Sequence, residues 1–235
     1  MTLEQLLREG FQELGLPLDE AALRRYRVYA ETLAEKNAVM NLTAIEGEEN
    51  VARLHFLDCA ALLTGFELSG RRVIDVGTGA GFPGLALKIA CPDMALTLLD
   101  SLDKRVGFLR ECCGKLGFED VNCVHARAEE APADYRAAFD VATSRAVARL
   151  RVLCELCLPL VKKGGLFLAM KGPDCAEELA EASKAMGLLG GRAEPVFTYK
   201  IPGTDISHTV VAIRKIGDTP AKYPRPWAQI KKKPL

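Results

Sequence analysis

Apolar residues recur at helical spacing through the first part of the chain. Thr2 and Gln5 have the spacing of a capping box at the start of one helix, Asp19 precedes a second, and a third is predicted over about residues 48–63. All three come before any predicted strand. We therefore expect residues 1–66 to form a helical cap packed on the sheet that follows.

From residue 73 onwards, short β-branched and apolar runs alternate with helical stretches. This alternation predicts a parallel sheet, since parallel strands need a crossover connection. Two last strands, near 193–199 and 209–214, are expected to form an antiparallel hairpin. The predicted fold class is α/β with a Rossmann-like sheet over residues 67–216, and residues 217–235 are expected to form a basic C-terminal tail.

A glycine-rich turn follows the first predicted strand, where Asp75 precedes Gly77, Gly79 and Gly81. Glycines at such a place let backbone N–H groups approach a ligand at the carboxyl end of a strand. A dinucleotide fingerprint would have a glycine where this chain has Phe82. Asp75, beside this turn, favours a ligand that carries an amino group and disfavours a phosphate. The D-x-G-x-G-x-G form resembles the first motif of S-adenosylmethionine-dependent methyltransferases.

A second acidic residue stands at the spacing that this chemistry needs. The next predicted strand ends on Asp100, about 20 residues beyond the glycines, where Rossmann-like sheets place an acid that binds a ribose diol. A helix-capping acid is the alternative for Asp100. Phe82 is predicted to lie against the adenosine or the sulfonium cation of the cofactor, with ordinary core packing as its alternative.

The composition is that of a globular chain, with 49% hydrophobic and 26% charged residues. The sequence shows no apolar run of the ~18 residues that a membrane span needs and no signal peptide, so a cytoplasmic protein without membrane association is expected. Its eight cysteines lie in apolar segments. Cys154 and Cys157 have no second pair at zinc-finger spacing, so core packing is expected and no metal site is assigned.

The formal net charge is zero, which does not favour nucleic-acid binding as a whole-chain property. The distribution is uneven, because the last 22 residues hold seven basic residues against the single acid Asp218. This tail either follows a phosphate backbone or is a solvated terminus.

Several further stretches extend the resemblance over nearly the whole chain. They are NLTAI at 41–45, HFLD at 55–58, the glycine-rich turn at 73–84, LDSLDKR at 99–105, Ala128-Glu129, Ser144-Arg145-Ala146 and KKPL at 232–235. In this order they are similar to the ribosomal small-subunit RNA methyltransferase G family, also called glucose-inhibited division protein B. The resemblance implies the seven-stranded methyltransferase sheet, with S-adenosylmethionine as cofactor.

The resemblance also implies the reaction, which is methyl transfer to N7 of one guanosine in the decoding region of 16S ribosomal RNA. The expected partner is 16S ribosomal RNA or the small ribosomal subunit, and the protein is expected to act as a monomer. The family's cofactor positions carry over to Gly77, Phe82, Ala128, Glu129 and Arg145.

Two stretches depart from the family pattern. The family usually has a Gly-Thr-Pro turn before its last basic residues, where this chain has Pro226-Trp227-Ala228-Gln229-Ile230. Ser207-His208 stands where an acid-arginine pair is more usual. Both are expected to lie far from the cofactor motifs and therefore to affect RNA contacts more than the chemistry.

No general base is expected, because N7 of guanine has a free lone pair and no proton to lose. Arginine usually reads guanine through O6 and N7, but N7 must stay open for the methyl group. We therefore expect Arg145 and Lys171 to position phosphate or the cofactor carboxylate, and the guanine to be held by its Watson-Crick edge and by stacking. His55 and Asp58 either face the site as a pair or form a structural hydrogen bond within their helix.

Three other interpretations stay open from the sequence. One is a nicotinamide-dependent reductase, which would need a glycine in place of Phe82. Another is a catalytically silent RNA-binding assembly factor that has kept the fold. The third is a methyltransferase of this fold that acts on another RNA, a protein or a small molecule.

Overall fold

The computed structural model describes residues 1–145 and 148–235, so Ala146 of the Ser144-Arg145-Ala146 motif lies outside the described residues. The chain begins with α1 (Leu3–Glu13) and α2 (Glu20–Met40). The capping box is confirmed, because the Gln5 backbone N–H donates to the Thr2 hydroxyl and the Thr2 N–H donates to the Gln5 side chain. Each helix thus begins where its cap predicts.

The predicted third helix is not a regular α-helix. It consists of α3 (Glu48–Val51), a π-helical turn (Ala52–Leu57), α4 (Asp58–Ala60) and a 3₁₀ turn (Ala61–Thr64). In an α-helix the Leu54 carbonyl would accept from the Asp58 N–H, but that N–H donates instead to the carbonyls of Arg53 and His55. The freed Leu54 carbonyl accepts a hydrogen bond from Arg145 at 3.1 Å. The π turn is therefore coupled to a side chain at the candidate site, as π turns often are.

One mixed sheet forms the centre of the described structure. Its strands are β1 (Arg72–Val76), β2 (Ala95–Asp100), β3 (Asn122–His125), β4 (Phe139–Arg145), β5 (Val161–Lys171), β6 (Gly191–Ala193), β7 (Phe197–Lys200) and β8 (Ser207–Lys215). The order is β3-β2-β1-β4-β5-β8, with β1 to β5 parallel and β8 antiparallel to β5. The predicted parallel sheet with an antiparallel end is confirmed.

The predicted strand near 193–199 is interrupted. Both β6 and β7 pair with β8, and the Glu194 N–H between them still donates to the Ala212 carbonyl. Pro195 follows, and it has no N–H to continue the ladder. The two short strands therefore occupy one position, so the sheet has the seven predicted positions.

The helices that follow the strands cover both faces of the sheet. They are α5 (Gly84–Ala90), α6 (Asp103–Leu116), α7 (Leu150–Cys157), α8 (Ala176–Leu188) and α9 (Trp227–Lys232). One hydrophobic cluster joins α1, α2, α5 and α6 to the face that carries Val73, and the other joins α7, α8 and α9 to the face that carries Ile74. Within the described ranges, no helix is both long enough and apolar enough to cross a bilayer.

The tail after β8 packs on the protein instead of extending into solvent. The Arg136 guanidinium donates to the carbonyls of Thr219 and Tyr223, and the fully buried Glu155 pairs with Arg225. Ile230 is buried in the same hydrophobic cluster as α7. The segment is therefore anchored at Arg225 and Ile230, while Lys231 and Lys232 remain exposed to solvent.

Two buried tyrosines connect α2 to the first β-α unit. The Tyr26 hydroxyl donates to the Ala86 carbonyl at 2.8 Å, and the Tyr29 hydroxyl donates to the Ala80 carbonyl at 2.6 Å. We expect Tyr26→Phe and Tyr29→Phe each to lower the free energy of unfolding by about 1 to 2 kcal/mol, since each leaves a buried carbonyl without this donor. Urea unfolding followed by circular dichroism measures the loss.

Tyr135→Phe is the matched control for this prediction. Its hydroxyl accepts from Asn122 in an exposed hydrogen bond, so its removal should change the free energy of unfolding by less than about 0.5 kcal/mol. Equal effects of all three substitutions would contradict the role given to the buried hydroxyls.

Candidate active site

The glycine-rich turn lies between β1 and α5, at the carboxyl edge of the sheet. Gly79 has φ +60, and a Cβ there would meet nothing within 4 Å, so this glycine provides backbone conformation beside open space. Gly81 differs, because a Cβ there would lie 2.5 Å from the Tyr29 hydroxyl oxygen. The N–H of Gly77 donates to the Leu99 carbonyl at 2.8 Å, which ties the turn to β2.

Asp75 stabilises this turn from inside the protein. One carboxylate oxygen accepts from the Thr78 hydroxyl at 2.6 Å and the Gly84 N–H at 2.9 Å, and the other accepts from the Thr143 hydroxyl at 3.3 Å. The side chain is fully buried, and burial raises the pKa of Asp75 to about 6 in spite of these hydrogen bonds. Its contacts give Asp75 a structural role in holding the loop.

A small cavity of about 170 Å³ opens where β1, β2 and β3 end. Its lining contains four residues that the sequence predicted for the cofactor, namely Gly77, Asp100, Ala128 and Glu129. The other lining residues are Val76, Leu99, Ser101, Ala126, Arg127, Ala148, Leu156 and Trp227. Residues from three successive β-α junctions thus meet at one place, as an open α/β sheet predicts.

Asp100 connects the glycine turn to the start of α6. Its carboxylate accepts from the Gly79 N–H and from the Leu102 N–H, each at 2.9 Å, and the Arg105 guanidinium lies 3.6 Å away. Asp100 therefore holds the loop and the helix entrance at the same time as it lines the cavity.

Glu129 carries an unpaired acceptor in this cavity. Its side chain is 5% exposed, and the nearest cation, Arg127, is 4.0 Å from Oε1. Among residues 1–145 and 148–235, Oε1 has no hydrogen-bond partner. An acceptor that is buried without a donor costs free energy, and a ligand with an N–H group would remove that cost.

A second, larger cavity of about 780 Å³ adjoins the first and shares Ala148 with it. Arg145 at the end of β4 and Lys171 at the end of β5 both line it. The Lys171 ammonium donates to the Ala148 carbonyl at 2.9 Å and pairs with Glu178 at 2.7 Å. The remaining lining residues are Ile45, Leu54, Asp58, Arg149, Met170, Gly172, Ile206 and His208.

Arg145 is fixed on several sides. One terminal nitrogen donates to Asp58 and to the Leu54 carbonyl, each at 3.1 Å, and the other lies 2.6 Å from His55 Nδ1. The guanidinium carbon is 5.0 Å from the centre of the Phe82 ring, within the range of a cation–π contact. Arg145 therefore has a defined orientation at the wall of the large cavity.

His55 and Asp58 meet at Arg145, so neither sequence alternative describes them fully. Burial and the Arg145 charge lower the pKa of His55 to about 3, so the ring is neutral. Since an arginine only donates, Nδ1 accepts and the proton is on Nε2, which lies 3.0 Å from the Thr43 hydroxyl. Asp58 contacts the opposite nitrogen of Arg145.

Asp58 also accepts two hydrogen bonds that the sequence did not predict. They come from the Tyr199 hydroxyl at 2.7 Å and from His208 Nδ1 at 2.8 Å. The hydrogen bond to Asp58 raises the pKa of His208. Tyr199 and His208 lie on β7 and β8, so Asp58 joins the antiparallel end of the sheet to Arg145.

Phe82, Gly79, Gly81 and Arg145 do not line the small cavity among the described residues. Phe82 is 5% exposed and its ring is stacked between His55, with centroids 4.1 Å apart, and Tyr29, at 5.2 Å. Its place is a packed layer beneath Arg145.

The two departures from the family pattern lie closer to the site than expected. His208 is part of the Arg145 network, and Trp227 lines the small cavity. The expectation that these stretches are remote from the cofactor motifs is therefore wrong in space, although it is right along the chain. In the sequence, the only sign that His208 and Trp227 matter at this site is that both stretches depart from the family pattern.

The neutral His55 leads to a pH-dependent stability. Its folded pKa of about 3 lies below the ordinary value of 6.5, so its contribution is complete above about pH 6.5 and is lost as the pH falls towards 3. Asp75 has the opposite effect on stability. Its folded pKa of about 6 lies above the ordinary value of 3.8, so the folded protein takes up a proton and the free energy of unfolding rises as the pH falls from about 6 to 3.8. We expect His55→Gln to reduce the acid loss of unfolding free energy, measured by urea unfolding at a series of pH values.

His125→Gln is the control, since the side chain of His125 is 47% exposed. It should leave the pH dependence of the wild type unchanged. A His55→Gln variant with the wild-type slope between pH 6.5 and 3 would disprove the assignment.

Comparison with known proteins agrees with this geometry. A family model described as rRNA small subunit methyltransferase G matches residues 22–205. The ribosomal RNA small subunit methyltransferase G of Alkaliphilus oremlandii is 46% identical over 238 residues, which cover 100% of each chain. The protein of the same name from Acetivibrio thermocellus is 44% identical over 237 residues, with 100% of this chain and 98% of that protein covered.

Solved structures support the fold. A 16S rRNA (adenine(1408)-N(1))-methyltransferase variant from Catenulisporales acidiphilia, solved with S-adenosylmethionine, matches with a TM-score of 0.52 at 17% identity. The match covers 64% of this chain and 87% of that chain. The fold is thus the Rossmann-like methyltransferase fold. Together with the full-length relatives, these findings show that the chain belongs to the rRNA small subunit methyltransferase G family.

Proposed function

We propose that the protein transfers a methyl group from S-adenosylmethionine to N7 of one guanosine in the decoding region of 16S ribosomal RNA. The observation that carries this proposal is the pair of adjoining cavities at the carboxyl edge of the sheet, which meet at Ala148. The small one offers acceptors for an adenosine, and the large one has room and cations for a nucleotide. A methyl donor and its acceptor have to lie side by side in this way.

The small cavity fits the adenosine part of S-adenosylmethionine. Asp100 offers carboxylate oxygens to the ribose hydroxyls, and the unpaired Oε1 of Glu129 offers an acceptor to the adenine amino group. We assign Ala128 to the adenine as well, and the backbone of Gly77, Gly79 and Gly81 to the methionine part. When bound, S-adenosylmethionine supplies an electrophilic methyl group on its sulfonium.

Arg145 and Lys171 are proposed as positioning residues in the large cavity. Three hydrogen bonds of Arg145 go to Leu54, Asp58 and His55, so part of its fork of five N–H donors is left for a phosphate or for the cofactor carboxylate. Phe82 supports this guanidinium through its ring face. We retain Phe82 and Arg145 as cofactor-binding residues in this proposal.

The reaction requires orientation more than proton transfer. N7 of guanine attacks with a lone pair that is already free, so the residues around the large cavity have to hold the base in line with the methyl group and exclude water. A fixed Arg145 suits this task, because it costs no reorganisation when the substrate binds. No residue is assigned as general base.

The organisation of the chain fits the same proposal. We propose residues 1–66 as a cap, 67–216 as the methyltransferase domain and 217–235 as a basic segment. The exposed lysines of α9, Lys231 and Lys232, are proposed to contact ribosomal RNA phosphates. The proposed substrate is 16S ribosomal RNA or the small subunit, bound by a monomer.

Incubation with tritiated S-adenosylmethionine and unmodified small-subunit particles tests the function directly. Naked 16S ribosomal RNA is assayed in parallel, and nucleosides are separated after nuclease digestion. We expect label in 7-methylguanosine. Label in another nucleoside would show that the enzyme methylates a different target. No label despite cofactor binding would favour the interpretation as a catalytically silent assembly factor.

We expect Arg145→Ala to lower turnover about 100-fold, the scale at which misplacement of a substrate affects the rate. Steady-state methylation and calorimetric titration of S-adenosylhomocysteine measure turnover and cofactor affinity separately. Arg149→Gln is the matched control, because Arg149 lines the same cavity but is 55% exposed and pairs with Glu181. An Arg145→Ala variant with unchanged turnover and cofactor affinity would refute the assignment.

A further inference from the structure

One wall of the small cavity comes from a segment that the cofactor motifs do not include. Trp227, the first residue of α9, lines this cavity together with Ala128, Glu129 and Leu156. We infer that Trp227 is an additional cofactor-binding residue that covers the adenine end of the cavity. The inference rests on the cofactor placement proposed above and adds a contact from the C-terminal segment.

A buried ion pair fixes the chain just before this tryptophan. Glu155 on α7 is fully buried, and its two oxygens accept from Arg225 Nε at 2.8 Å and from a terminal Arg225 nitrogen at 2.6 Å. The Arg225 backbone N–H donates to the same carboxylate at 3.0 Å. A bidentate pair with an added main-chain bond defines both position and direction. Trp227, two residues later, is therefore held at the cavity.

The other end of α9 is anchored as well. Ile230 is fully buried in the hydrophobic cluster that also contains Leu156 and Leu99, two residues of the cavity wall. Arg225 reaches across α9 and donates to the Lys233 carbonyl at 3.1 Å. The anchors of α9 and the wall of the cavity thus belong to one packed unit.

Between the anchors at Arg225 and Ile230, Trp227 keeps 37% of its surface exposed. An indole offers a broad apolar face, and the neighbouring Glu129 offers an unpaired acceptor to the edge of a base. Adenine has a flat face and an amino edge, so it matches both groups at once. Stacking on an aromatic side chain is a common way to hold a base.

The chain contains a single tryptophan, so fluorescence excited at the long-wavelength edge, where tyrosine does not absorb, reports on this position alone. We expect titration with S-adenosylhomocysteine to change the emission with the same dissociation constant that calorimetry gives. Trp227→Ala should raise the calorimetric dissociation constant about 10-fold, and Trp227→Phe should restore most of the affinity because it keeps an aromatic face.

The variant Gln229→Ala is the matched control. It changes an exposed residue of the same helix, and it should keep the wild-type affinity for S-adenosylhomocysteine. Thermal melts show whether each variant is folded. If Trp227→Ala does not fold, the inference is tested by the wild-type fluorescence titration and by the affinity of Trp227→Phe.

The outcomes separate this inference from the proposed function. Binding with unchanged emission, and with equal affinity in wild type and Trp227→Ala, would overturn the role of Trp227 and leave the cofactor site in place. No calorimetric binding of S-adenosylhomocysteine to the wild type would instead refute the cofactor site itself. A 10-fold loss in Trp227→Ala with recovery in Trp227→Phe supports the inference.

Discussion

The buried pair of Asp58 and Arg145 is the interaction on which the large cavity depends. Asp58 is 2% exposed at its side chain and Arg145 is 17% exposed, so both charges have lost most of their water. Such a pair is stable only if further hydrogen bonds satisfy the remaining donors and acceptors. Tyr199 and His208 donate to Asp58, and Leu54 and His55 accept two of the hydrogen bonds of Arg145. The network thereby joins the cap, the end of β4 and the antiparallel strands around one point.

The π turn contacts the same pair. A regular helix over residues 48–63 would pair the Leu54 carbonyl with the Asp58 N–H, whereas here that carbonyl accepts from Arg145. The apolar periodicity of this segment predicts a helix correctly, but it contains no information about a donor that lies 91 residues further along the chain. This contact could not be predicted locally, because its donor lies in a distant part of the chain.

The same distinction separates the predicted part of the site from the rest. Gly77, Asp100, Ala128 and Glu129 were found because each belongs to a short motif at a strand end, and strand ends meet at one edge of a parallel sheet. Tyr199, His208 and Trp227 belong to no such motif. The first two are 141 and 150 residues from Asp58, and Trp227 reaches its cavity only because Glu155 and Ile230 hold the tail on the second face of the sheet.

The cations of the large cavity divide by how firmly they are held. Arg149 pairs with Glu181 at 2.8 Å while 55% exposed, and exposed pairs of this kind are worth only about 0 to 1 kcal/mol. This pair can therefore open at little cost. Arg145 cannot move in the same way, because its departure would leave the buried Asp58 carboxylate without this cation. Arg149 is thus held weakly, whereas Arg145 keeps one orientation in the wall of the large cavity.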